Sequence, residues 1–83
     1  MSVWVLRRIV PSQFIGIFST IEKAQLAATT ILMNENDLDE DFEWRGSDEF
    51  MKGYNGERPY DTDEFRIVGL ELDKPKNDGY RLL

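Results

Sequence analysis

The sequence predicts a small α+β domain: an antiparallel sheet of three to four strands with one main helix packed on one face. Three observations lead there. A strand turns into a helix near residue 19, a strongly apolar strand begins at residue 65, and 83 residues suffice for one modest core. The predicted order is ββα…β, with an acidic insert before the last strand. One domain is expected over residues 1–83, its core drawn from about residues 2–34 and 65–83 and its insert from residues 35–64.

The first strand is read from Val3-Trp4-Val5-Leu6, closed by Arg7 and Arg8. Pro11-Ser12-Gln13 marks a turn, and Phe14-Ile15-Gly16-Ile17-Phe18 is rich in the aromatic and β-branched side chains that favour a second strand, so the two form a hairpin. Ser19 follows where a helix needs an N-cap, with Glu22 three residues later. This Ser-x-x-Glu spacing is that of a capping box, in which each side chain satisfies a backbone N–H left open at the helix start. Ile21, Ala24, Ala28, Ile31 and Leu32 then recur at helical spacing and form one apolar stripe, while Leu26 and Met33 lie off it. Asn34 and Asn36 are the expected stops. Anion binding at this helix start is disfavoured, because Gly16 precedes a strand residue rather than opening a phosphate loop.

A third strand runs through Phe65-Arg66-Ile67-Val68-Gly69-Leu70-Glu71-Leu72, with Val68, Leu70 and Leu72 on one face and Phe65, Ile67 and Glu71 on the other. Residues 74–79 read as a turn and Tyr80-Arg81-Leu82-Leu83 as a short final strand or a frayed end. Within the insert, Phe42-Glu43-Trp44 reads as a brief strand. Ser47, Asp48 and Glu49 read as the capped start of a short helix through Lys52, stopped by Gly53. Tyr54-Asn55-Gly56 and Arg58-Pro59-Tyr60 read as turns.

Composition removes several kinds of chemistry. Without cysteine there is no disulfide framework, thiol nucleophile or cysteine metal site. Without histidine the commonest general base and transition-metal ligand are missing. No apolar run approaches a membrane span and no secretory leader pattern opens the chain, so a cytoplasmic location is expected. Neither catalytic residues nor a cofactor is expected.

Charge is unevenly distributed. Residues 1–34 balance at +2, residues 35–64 carry twelve acids against Arg45, Lys52 and Arg58 for −9, and residues 65–83 balance at +1. Such a chain is expected to be repelled by nucleic acid and anionic membranes, which need a basic footprint, and to suit a basic protein surface. Three groupings in the insert bear on function. Asp37-x-Asp39-x-Asp41 has the opening spacing of a calcium loop, yet Phe42 stands where the turn glycine belongs and Asp48 where the bidentate glutamate belongs. Trp44, Phe50, Tyr54 and Tyr60 interleave rings with acids, as interface anchors do, although a small core also needs rings. The carboxylates are abundant enough for acid–base pairs, but no nucleophile, pocket or metal motif accompanies them.

The residues Gly16, Phe18, Ser19, Thr20, Glu22, Lys23 and Ala24, with the later Leu70-Glu71-Leu72-Asp73, resemble a family of small uncharacterised bacterial and phage domains. The resemblance covers about residues 2–34 and 65–73, leaves out the acidic insert, and implies a fold and a phage setting but no catalytic residues. The expected function is therefore that of a non-enzymatic protein-binding module. In its sharper form it is a small acidic inhibitor or adaptor of the phage counter-defence (anti-CRISPR-like) kind, docking on a basic, nucleic-acid-binding surface of a protein partner. Its partner-binding residues are expected to be Asp37, Asp39, Glu40, Asp41, Glu43, Trp44, Asp48, Glu49, Phe50 and Tyr54. A structural or oligomerisation module is the alternative, and a weak calcium-binding or carboxylate-dependent role a more distant one.

Overall fold

Alternation of side chains along the strands and a 3.6-residue stripe on the helix generate a two-layer α+β structure in the computed structural model, which describes residues 1–56 and 63–73. Strands β1 (Ser2–Arg8) and β2 (Gln13–Phe18) form the expected hairpin, followed by helix α1 (Ile21–Asn34). Strands β3 (Glu43–Gly46), β4 (Phe50–Tyr54) and β5 (Phe65–Glu71) complete one antiparallel sheet in the order β2-β1-β5-β4-β3. The described residues thus form five strands, where three to four were expected.

The additional strands come from the acidic segment. The described part of the segment 35–64 does not stand apart from the sheet: it supplies β3 and β4, and β4 pairs directly with β5. The short helix expected after Ser47 is a hairpin instead. The Ser47 hydroxyl accepts from the Glu49 amide at 3.3 Å and the Ser47 amide donates to the Phe50 carbonyl at 2.9 Å, closing a turn. A residue suited to an N-cap is equally suited to a tight turn, and the pairing of Phe50 with Val68 and Met51 with Ile67 decides for a strand. The turn read at Arg58-Pro59-Tyr60, the turn at 74–79 and the final strand at 80–83 lie outside the described residues.

The helix packs on the sheet through Ala24, Ala28 and Leu32, which form the core with Leu6, Phe65 and Ile67. Full burial of a large apolar side chain such as Leu32 or Phe65 contributes about 1.5–3 kcal/mol each. Trp4, Ile15, Phe18, Met51, Phe42 and Trp44 pack around this centre. Between Leu6 and Arg7 the β1–β2 register skips Ile15, a bulge that directs Ile15 to the core and leaves Phe14 opposite Arg7. Leu26 and Met33 stand exposed on the outer pole of the helix.

Both helix ends are capped, one of them by an unexpected residue. Thr20, not Ser19, is the N-cap: its backbone is extended and its Oγ1 accepts from the Lys23 amide at 3.2 Å. That places Lys23 rather than Glu22 at the third helical position, so the predicted capping box does not form, and Ser19 Oγ accepts from Lys23 Nζ instead. Glu22 remains in the first turn, where the helix dipole favours it. At the other end Asn36 takes a left-handed φ of 55°, the Asn36 amide donates to Met33 and the Asp37 amide to Leu32. This paired arrangement is a Schellman stop. Thr20→Ala is expected to lower stability by about 1 kcal/mol in urea unfolding, and Ser19→Ala by less than about 0.5 kcal/mol. Equal effects would return the cap to Ser19.

Candidate functional site

The helix stop delivers the chain into a loop at residues 37–41 that contains four exposed acids, Asp37, Asp39, Glu40 and Asp41. Its backbone is held from below by Asn55, which is 6% exposed. The Asn55 side-chain oxygen accepts from the Asp39 amide at 2.9 Å, and its amide nitrogen donates to the Asp37 carbonyl at 2.8 Å. Within the loop, Asp39 Oδ1 accepts from the Asp41 amide at 2.8 Å and the Phe42 amide donates to the Asp39 carbonyl at 3.1 Å. A buried asparagine bonded to both strands of a loop fixes it better than either bond alone. Among the described residues no three acidic side chains converge where they could hold an ion. The Asp37-x-Asp39-x-Asp41 spacing therefore describes a pinned turn, with Asp39 already engaged by backbone.

The remaining residues expected to bind a partner are divided over the molecule. Asp48 and Glu49 occupy the exposed β3–β4 turn, whose Asp48 carbonyl accepts from Trp4 Nε1 at 3.0 Å. Trp44 lies on the helix side of the sheet, edge-to-face with Phe42 at 5.1 Å and packed against the core. Phe50 and Tyr54 lie on the opposite face, away from α1. There Lys52 Nζ is 5.7 Å from the Phe50 ring, and the Arg45 guanidinium is 4.4 Å from the Tyr54 ring. Glu43 is exposed on that face and paired with Arg45, whose Nε donates to Glu43 Oε1 at 2.7 Å. Asp37, Asp39, Glu40 and Asp41 are thus brought together, whereas Trp44 is separated from Phe50 and Tyr54 by the thickness of the sheet.

Two arrangements escape a linear reading of the sequence. Arg8 is 8% exposed, and its guanidinium bonds Glu35 through two nitrogens at 2.8 Å each and Glu64 at 3.0 Å, 5.6 Å from the Phe65 ring. These bonds hold the Glu35 carboxyl below its ordinary range and raise the Arg8 guanidinium above its own, chiefly through the Arg8–Glu35 hydrogen bonds. The second is a row of cations across the face away from α1: Arg7 stands opposite Arg66, Arg66 opposite Lys52, and Lys52 opposite Arg45. Arg66 is bonded to Asp63 at 2.7 Å, which raises its guanidinium. Only strand register unites positions 7, 45, 52 and 66.

No helix among the described residues is long and apolar enough to cross a membrane. Comparison with protein-family models, with curated proteins and with solved structures returned no match, so the reading of function rests on this geometry.

Proposed function

We propose that this chain is a non-enzymatic protein-binding module that presents the acidic 37–41 loop to a basic, nucleic-acid-binding surface of another protein. The observation that carries this reading is the pinned backbone of the loop: four exposed carboxylates within five residues, held by the buried Asn55. A loop backbone fixed before contact loses little freedom on binding, and its exposed carboxylates accelerate encounter with arginines and lysines. Leu38, partly exposed among the acids, offers an apolar point of contact. The resemblance to phage domains makes a counter-defence inhibitor the sharper form of the same reading.

The test is capture of nucleic-acid-binding proteins by the intact chain, followed by association kinetics on the captured partner. Substituting Asp37→Asn, Asp39→Asn, Glu40→Gln and Asp41→Asn together is expected to slow association at low salt by at least about tenfold with an unchanged far-UV spectrum. Unchanged kinetics would rule the loop out as the docking element. A self-association module is the second reading, favoured by Phe14 and Ile17, which are 60% and 62% exposed on the edge strand β2. Sedimentation at rising concentration separates the two, since only the second gives a growing mass.

A further inference from the structure

We infer that two copies of this chain pair edge to edge through β2, antiparallel about a two-fold axis, so that their sheets run on as one. The inference rests on the self-association reading above and adds to it the edge, the symmetry and the stoichiometry. Strand β2 ends the sheet order β2-β1-β5-β4-β3, so its outer backbone groups have no strand partner among the described residues. Edge strands commonly blunt this exposure with charge, proline or brevity. The opposite edge does so: β3 has four residues, among them Glu43 and Arg45, and ends at Gly46 with φ 130°. Strand β2 runs for six residues, Gln13–Phe18, with neither charge nor proline. It lies within residues 9–21, the longest stretch of the chain without a charged side chain.

The side chains on this edge match a second copy of themselves. Phe14 stands opposite Arg7 and Ile17 opposite Val5, with Leu6 of the core between, so Phe14 and Ile17 share the face away from α1. They are 60% and 62% exposed, so this border of the sheet is open. In a regular strand, residues three apart point to opposite faces; here the bulge at Ile15 brings them to one. Residues opposite each other in an antiparallel pair lie on the same face. A two-fold axis between Ile15 and Gly16 therefore sets Phe14 beside Ile17 of the second copy, and Ile17 beside Phe14 of that copy. Each is an aromatic–β-branched cross-strand pair, a favourable kind. Because both copies carry the bulge, the two bends coincide at the axis.

Charge selects a second copy as the occupant. Each chain carries −6, so two copies repel wherever their acids meet, and the neutral stretch 9–21 is where they can approach. The acidic 37–41 loop is tied through Asn55 to the end of β4, three strands from β2. In the joined sheet the two loops are seven strand spacings apart, about 34 Å, against a Debye length of about 10 Å at 0.1 M salt. Their mutual repulsion is therefore screened, and both loops stay free for a partner. A basic or acidic protein finds no charge on β2 to pair with. With the β3 edge blunted, assembly closes at two copies rather than running on as a fibre. One strand from each copy makes a contact at the small end of specific interfaces, so the pair exchanges with single chains.

The experiment is analytical ultracentrifugation of the intact chain from about 5 to 500 µM in about 0.1 M salt. The mass is expected to rise from one copy to two and to stop there. Phe14→Lys combined with Ile17→Lys should raise the half-dissociation concentration at least about tenfold, since it sets like charges opposite one another across the pair. Leu26→Lys combined with Met33→Lys, on the exposed pole of the helix, should leave it unchanged, and thermal melting establishes that each variant is folded. Because the chain has no cysteine, the register is read by mild oxidation of single-cysteine variants. A mixture of Phe14→Cys and Ile17→Cys brings the two Cα atoms to about 5 Å, within disulfide reach. Either variant alone leaves them more than about 7 Å apart, beyond it, so the mixture should cross-link at least about fivefold faster. A mass of one copy throughout would overturn the inference together with the self-association reading. Growth that survives the β2 lysines and is lost with the helix lysines would overturn the inference and leave that reading standing. Growth past two copies, or equal cross-linking in the mixture and the single variants, would overturn the closed antiparallel pair.

Discussion

Replacing Arg8 by alanine is expected to destabilise the domain by about 3–5 kcal/mol, a large share of what a domain of this size possesses. Arg8 sits on the core side of β1, and its side chain and that of Glu64 are 10% and 6% exposed. Removing the guanidinium takes from the enclosed Glu64 carboxylate, and from Glu35, a cation that bonds both, and much of the cost comes from the poorer pairing of these charges rather than from lost packing. The pair itself is an expensive arrangement: the Arg8 Nε is buried with no partner among the described residues. Arg8→Met with Glu64→Gln should therefore recover a substantial part of the loss, giving a coupling above about 1 kcal/mol in a double-mutant cycle. Additive effects in urea unfolding would mean that Arg8 stabilises by packing alone. Acid should reproduce a weaker version. The Glu35 carboxyl, ordinarily near 4.5, is lowered in the folded state by the Arg8 hydrogen bonds. Its contribution is full above the unfolded-state value and is lost as pH falls through the lower folded-state value. The urea midpoint should accordingly fall below about pH 4.5, and fall less steeply in Glu35→Gln.

Elements whose signal is local were legible in the sequence. The hairpin strands, the helix and the two faces of β5 follow from periodicity within each segment, and Asn36 marks the helix stop because its side chain tolerates the left-handed backbone there. Thr20 displaced Ser19 as cap because two adjacent hydroxyl residues satisfy the same rule and only the entry angle of the chain chooses between them. The segment at 47–52 was misread for a related reason: Ser-Asp-Glu suits the first turn of a helix and also a tight turn. The choice fell to long-range pairing of Phe50 with Val68 and Met51 with Ile67, which no local pattern contains. Site residues divide the same way. The acids of the 37–41 loop are visible as composition, whereas the buried Arg8 cluster joins positions 8, 35 and 64, and the cation row joins four strands. Contacts of that separation exist only once the sheet order β2-β1-β5-β4-β3 is known.

That order also places an absent side chain at a critical point, and Gly69→Ala is expected to cost about 3 kcal/mol, the upper part of the usual range for overpacking. Gly69 lies opposite Trp4, and its amide continues the ladder by donating to the Glu49 carbonyl at 2.9 Å. A Cβ at this position would lie 2.4 Å from the Asp48 carbonyl oxygen and 3.2 Å from Trp4 Nε1. The space left by the glycine is therefore where the β3–β4 turn rests and where the indole donates to Asp48 at 3.0 Å. The nearest atom is backbone, so relief requires moving the turn, which forfeits the Trp4 hydrogen bond at about a further 1 kcal/mol. Gly16→Ala is the control. Its Cβ would meet only the outer edge of the Phe18 ring at 3.3 Å, and a restricted unfolded chain offsets that contact, so the change should stay within about 0.5 kcal/mol of zero. In a Trp44→Phe background, Gly69→Ala should also red-shift the emission of Trp4 as the turn lifts away. If the two glycine variants lose equal stability and Trp4 emission does not move, the turn is not docked through this contact, and the path by which Asp48 and Glu49 are held at the end of the sheet must be sought elsewhere.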